Sequence, residues 1–197
     1  MVVSGSTVCR TLRKLGYTRK KVQQIARQRC QKFRSAFLAQ VLQYPREFFV
    51  WVDETGCDLR TNIRRFGYSL LGQSPQYTRL LTRGKRESAI CAMSSEGLVG
   101  VELKTGSVDS DVFFDFVVGM LIPNMQPFDG LNSRSIVIMD NCSIHHVDII
   151  KAALDDADIV VIFLPPYCPD LNPIEELFSS VKYYLKDHDE MIQKCAS

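Results

Sequence analysis

Three carboxylates in this chain have the types and spacing for shared chemistry. Asp53 closes the apolar run FFVWVD, Asp140 closes SIVIMD, and Glu175 sits in LPPYCPDLNPIEELF, with 34 residues between the second and the third. Each Asp follows an apolar, β-branched stretch and is expected where a strand runs out at the edge of a sheet, which is where open α/β sheets place ligands. Two strand ends and a helix start can converge there. Two-metal phosphoryl transfer needs such convergence, because divalent ions roughly 4 Å apart must share carboxylate oxygens to clamp the attacking and the leaving oxygen. Hard oxygen donors favour Mg²⁺ or Mn²⁺.

Each residue also has a plainer reading. Asp before Glu-Thr-Gly is ordinary turn chemistry for Asp53. Glu54 competes with it as a ligand, although alternation along a strand lets only one of the two face a given side. Asp140-Asn141 after an apolar strand is a common loop opening. Asn172 as N-cap, Pro173 at N1 and Glu175 at N3 fit a capping box. On the helical wheel, Ile174, Leu177, Phe178, Val181 and Leu185 form the buried stripe. Glu175 borders that stripe and Glu176 lies nearly opposite, so Glu175 is the one expected to point toward the strand ends. Lys182 shares the Glu175 face and could meet a phosphate or remain a surface lysine.

Other polar residues attract simpler readings. Asp170 reads as a turn or cap residue, not a further ligand, and Asp109, Asp111 and Asp115 as helix or helix-cap positions. His145 and His146 could reach a substrate phosphate, but a metal-acidified water makes a histidine base unnecessary. Arg64, Arg65, Arg79, Arg83, Lys85 and Arg86 could line a nucleic-acid channel or be solvated loop charges. Trp51 reads as core packing. The four prolines of LPPYCPDLNP stiffen the approach to the Glu175 helix.

The elements that must hold these residues follow from periodicity and punctuation. A short helix is expected over Ser6–Leu15 with Ser6 as N-cap and Gly16 as its stop, and a longer one over Thr18–Gln43, ended by Pro45. Strands are expected at Glu47–Asp53, followed by a turn at Thr55-Gly56, and at Ile63–Leu70. Glu87–Met93 reads as a further strand with Leu98–Leu103 as its extension, and Ser135–Met139 and Ile159–Leu164 as later strands. Helices are expected at Asp109–Leu121, Val147–Leu154 and Pro173–Lys186. Antiparallel strands followed by helix-connected ones give an α/β class with a mixed five-stranded sheet flanked by helices.

Composition bounds the class. With 197 residues and 46% apolar content, the chain can form one sizeable core plus a small appendage. The seven cysteines are scattered without a C-x-x-C pair, which argues for a reducing compartment and against a structural zinc site. No apolar run approaches the roughly 20 residues of a membrane span, so no membrane partner is expected. The net charge of +2 conceals segregation: residues 1–46 hold 11 Lys or Arg and no acid, leaving −9 on the remainder. A basic arm ahead of an acidic body is the footprint of phosphate-backbone binding. Its candidates for contacting DNA are Arg10, Arg13, Lys14, Arg19, Lys20 and Lys21, with Lys182 in the body.

VDETG at 52–56, VIMDNCSIHH at 137–146 and LPPYCPDLNPIEELFSSVKYYLK at 164–186 together resemble the catalytic domain of mariner-type transposases of the DDE superfamily. The resemblance extends from about residue 6 to residue 186. It implies a ribonuclease H-like fold and selects Asp53 over Glu54. It also implies that Asp53, Asp140 and Glu175 are both the catalytic residues and the ligands of Mg²⁺ or Mn²⁺. The implied activity is nicking and strand joining at the ends of a mobile element, on double-stranded DNA, with a homodimer as one assembly open to it. Residues 1–46 are then a basic helical remnant of a helix-turn-helix with its linker, and residues 47–197 the catalytic domain. The family carries a complete paired helix-turn-helix ahead of that domain and further helices after it, whereas this chain ends 22 residues beyond Glu175, so it reads as truncated. A nuclear location is expected in a eukaryotic host and a cytoplasmic one otherwise. Two alternatives stand beside this reading: a catalytically inactive remnant that only binds nucleic acid, and a ribonuclease of RNA–DNA hybrids built on the same fold.

Overall fold

The computed structural model describes residues 4–18, 26–27, 29–57, 69–74, 76, 86–142, 145 and 147–188. Its centre is a five-stranded sheet of β1 (Phe49–Cys57), β2 (Glu87–Ser94), β3 (Gly97–Thr105), β4 (Ile136–Met139) and β5 (Val160–Phe163), in the order β3-β2-β1-β4-β5. β1, β2 and β3 form an antiparallel meander, while β4 and β5 continue from β1 in parallel. The expected mixed sheet is present. The segment read as an extension, Leu98–Leu103, is a full edge strand. The strand expected over Ile63–Leu70 lies mostly outside the described residues, and Ser69 and Leu70 are not in a strand.

Alternation along the central strands feeds two cores. Val50 and Val52 of β1 point to one face with Ile90, Ala92, Val137 and Met139. That face is covered by α3 (Ser110–Phe116), the π-helical turn Val117–Leu121 and α4 (Asp148–Asp156), through Phe113, Phe116, Val117, Leu121, Ile150 and Leu154. Phe49 and Trp51 point to the other face with Ile136, Ile138 and Ile162. There α2 (Gln31–Val41) contributes Phe37, and α5 (Ile174–Asp187) contributes Ile174 and Phe178 against Cys91 and Trp51. Every residue of β4 is fully buried, as a strand covered on both faces requires.

Local signals fixed some boundaries and missed others. Asp109 Oδ1 accepts the Val112 N–H at 3.0 Å and caps α3, as its cap reading expects. α1 (Gly5–Lys14) starts one residue before the expected helix because Ser4, not Ser6, is its cap, and Gly16 ends it with φ of 82°. Its Val8, Leu12 and Leu15 remain exposed. Of the long helix expected over Thr18–Gln43, only Gln31–Val41 is helical among the described residues, and Ala26, Arg27, Arg29 and Cys30 are not. The turn expected at Thr55-Gly56 is absent, since β1 continues through both residues in register with β2. No helix among the described residues is long and apolar enough to cross a membrane.

Candidate active site

The parallel ladder between β1 and β4 ends at the pair Val52–Met139. The next residues are Asp53 and Asp140, so two neighbouring strands, about 4.8 Å apart, deliver their carboxylates to the same edge. Asp53 does not end its strand, as the sequence suggested. It stays paired with Cys91 of β2, and only its pairing to β4 stops there. Alternation turns its side chain away from Val52 and toward the face covered by α5. Ile174 and Phe178 anchor α5 on that face, which brings Glu175 to the same cleft. Asp53, Asp140 and Glu175 line one cleft of about 550 Å³, together with Asn141, Cys142, Asn172 and the segment Leu164–Pro169.

The electrostatics of Asp53 report its surroundings. Burial pushes its carboxyl up to about 7, and the negative charges of Glu54, Asp140 and Glu175 add to the rise, while the bond its Oδ1 accepts from the Glu54 N–H at 2.7 Å opposes it. Its other oxygen accepts from Asn172 Nδ2 at 2.8 Å. Concentrated negative charge on hard oxygens is the donor chemistry that suits Mg²⁺ or Mn²⁺, so the residues fit such ions in kind. Among the described residues, no three His, Cys, Asp or Glu side chains are already drawn together into a closed metal cage.

Glu54, facing the opposite side from Asp53, reaches His145. The imidazole is buried, its Nε2 2.8 Å from Glu54 Oε1 and its Nδ1 2.9 Å from Asp140 Oδ1, with its ring 4.4 Å from that of Phe113. Two carboxylate acceptors require both ring nitrogens to carry protons. Burial alone would lower the imidazole's pKa, but the hydrogen bonds to Asp140 and Glu54 override it and push the value up to about 10. His145 is thus a cationic strut behind Asp140, a role that sequence reasoning missed because its partner Glu54 lies 91 residues away. Asp140 Oδ1 also accepts the Cys142 N–H at 2.9 Å, in agreement with the loop-opening reading of this residue.

The capping box does not form as expected: Asn172 Oδ1 accepts the Ile174 N–H at 3.3 Å, and the side chain's amide is committed to Asp53. Asp170 sits in the 3₁₀ turn Pro169–Leu171, in agreement with its turn reading, and also accepts from Arg29 at 2.9 Å and Arg34 at 2.6 Å. Those two bonds tie the basic arm to the proline-rich segment of the cleft. Arg10, Arg13 and Lys14 are exposed on α1, and Lys182 lies half-buried on α5, two turns beyond Glu175. Arg19, Lys20, Lys21, Arg64, Arg65, Arg79, Arg83, Lys85 and His146 lie outside the described residues.

Residues 49–195 match the family model described as DDE superfamily endonuclease. The chain belongs to the DDE superfamily of endonucleases. No curated protein matches it. Solved structures that resemble this DDE chain include the Mos1 transposase paired-end complex with left transposon end, at TM-score 0.70 and 19% identity over 98% of this chain and 63% of the other. The Mos1 mariner paired end complex with Mn has TM-score 0.72 and 20% identity over 98% and 63%. The corresponding complex with Mg has 0.70 and 20% over 93% and 58%. The chain therefore spans about three fifths of the length of these transposases. The likeness shows the shared ribonuclease H-like fold expected from the sequence.

Proposed function

We propose that this DDE chain cleaves and joins DNA phosphodiesters at the ends of a mobile element, with Mg²⁺ or Mn²⁺ held by Asp53, Asp140 and Glu175. The observation that carries the reading is the shared cleft of these three carboxylates, two of them set side by side by the Val52–Met139 rung. When bound, such ions stabilise charge on the phosphate oxygens and acidify the attacking water or hydroxyl. Asp53 and Asp140 supply oxygens from the strand edge, and Glu175 supplies them from the first turn of α5. His145 holds Asp140 from behind. The exposed Arg10, Arg13 and Lys14 bind backbone phosphate of double-stranded DNA, and Lys182 extends the same function along α5 from the cleft. The similar Mos1 structures, which are complexes with a transposon end, Mn and Mg, support this choice of substrate and ion. Such an enzyme would work in the nucleus of a eukaryotic host or in the cytoplasm of a prokaryotic one.

The test is nicking of duplex DNA in the presence of Mg²⁺ or Mn²⁺, with Asp140→Ala as the control and an RNA–DNA hybrid as the competing substrate. Metal-dependent nicking of DNA that disappears in the variant supports the reading. Cleavage confined to the hybrid, or salt-sensitive DNA binding with no metal-dependent cleavage, contradicts it.

A further inference from the structure

Asn172 uses all its polar groups at one junction. Its Nδ2 donates to Asp53 Oδ2 at 2.8 Å, its Oδ1 accepts the Ile174 N–H at 3.3 Å, and its backbone carbonyl accepts the Glu175 N–H at 3.3 Å. Its own N–H donates to the Pro169 carbonyl at 3.0 Å, which fixes the residue to the proline-rich turn. The side chain is 5% exposed, and Pro173 behind it has no N–H that needs a partner. One residue therefore joins a strand-borne carboxylate to the first turn of the helix that carries another.

Ordinary helix capping does not account for this arrangement. A cap needs only the oxygen of the side chain, and serine or aspartate serves as well as asparagine. Here the amide nitrogen faces Asp53, whose second oxygen is already held by the Glu54 N–H. With both oxygens bound on known sides, the plane of the Asp53 carboxylate and the lone pairs it presents to the cleft are fixed. Groups that hold a ligating carboxylate from behind set its orientation and its affinity for metal.

We infer that Asn172 is a positioning residue, which orients Asp53 and sets its separation from Glu175 for binding divalent metal. The inference rests on the proposed metal site. Serine at this position separates the two roles, since it retains a capping oxygen and lacks the donor that reaches Asp53. The experiment is calorimetric titration of Mn²⁺ alone into wild type, Asn172→Ser and Asn172→Ala, each checked for folding by circular dichroism and thermal melting.

The expected result is that Asn172→Ser melts near the wild type yet binds Mn²⁺ about 10- to 100-fold more weakly, as Asn172→Ala does. A serine variant with wild-type affinity, beside an alanine variant that loses both stability and binding, would overturn the inference and leave Asn172 as a cap. A folded wild type that binds no Mn²⁺ would instead overturn the metal reading, and the inference with it. The wild-type trace tells these two failures apart.

Discussion

Asp53 and Asp140 are the first residues beyond the last shared rung, Val52–Met139, of two adjacent parallel strands. Their proximity is a consequence of register and needs no special loop. A one-residue slip of β4 against β1 would turn Asp140 to the opposite face and replace the pair by an apolar contact. The fully buried Ile136, Val137, Ile138 and Met139 oppose that slip, because each would exchange one core for the other.

The proposed metal binding by Asp53 would depend on pH in a definite direction. Its carboxyl is raised from 3.8 to about 7, so the folded protein holds this proton more tightly than the unfolded chain does. Metal-free stability should therefore fall as pH rises from 3.8 towards 7, with the loss complete above that range. Metal competes for the same oxygens. The Mn²⁺-induced rise in melting temperature should be full at about pH 8 and largely absent at about pH 5, where Asp53 keeps its proton. A rise of equal size at both values would contradict the assignment.

His145 should contribute stability that depends on its charge. With a folded value of about 10 against an ordinary 6.5, its contribution is fully present below 6.5 and disappears as pH rises through 10. His145→Ala leaves Glu54 partly buried without its partner and should cost about 3 kcal/mol at neutral pH. Urea unfolding across the alkaline range should show a flatter pH profile in the variant. A profile unchanged from wild type would remove the strut.

Asp170 offers a contrast, because it touches the arm and not the carboxylates. Its two partners, Arg29 and Arg34, hold its carboxyl below the usual range, the Arg34 bond being the stronger cause. Asp170 is 36% exposed and asparagine keeps an oxygen that can accept from both arginines, so Asp170→Asn should lower the melting temperature by about 3 °C. Mn²⁺ affinity should stay at the wild-type level, whereas a loss of metal binding would place Asp170 in the site.

Alanine at Glu175 addresses the helix-borne carboxylate. Glu175→Ala should reduce nicking by about 1000-fold or more if its carboxylate holds metal, while Glu176→Ala should leave it within about threefold. Circular dichroism should be unchanged in both, since neither residue is buried. Equal losses in the two variants would refute the helical-wheel argument that separates them.

Much of this site was legible because its signals are local. The apolar runs before Asp53 and Asp140 and the burial of Ile174 and Phe178 read correctly from spacing, whereas α5 starts at Ile174, one residue after the expected Pro173, and Val181 of the expected stripe is exposed. The strand beyond Asp53 was not legible, since Thr-Gly is ordinary turn chemistry and only pairing of Thr55 and Gly56 with Ala89 and Ser88 keeps them extended. Nor was the bond from Asn172 to Asp53, across 119 residues, or the Glu54–His145 contact. Each depends on β1 lying in the middle of the sheet, which no local pattern encodes. Of the helix expected over Thr18–Gln43, the described residues Ala26, Arg27, Arg29 and Cys30 are not helical, and Arg29 instead reaches Asp170, a contact across 141 residues that no local pattern encodes.

A divalent-metal site formed by Asp53, Asp140 and Glu175 underlies the whole proposed function. The most direct measurement is calorimetric Mn²⁺ titration of the wild type and Asp140→Ala, both verified as folded. Saturable binding by the wild type should be lost in Asp140→Ala. Undiminished binding by the variant, or none by a folded wild type, would contradict it.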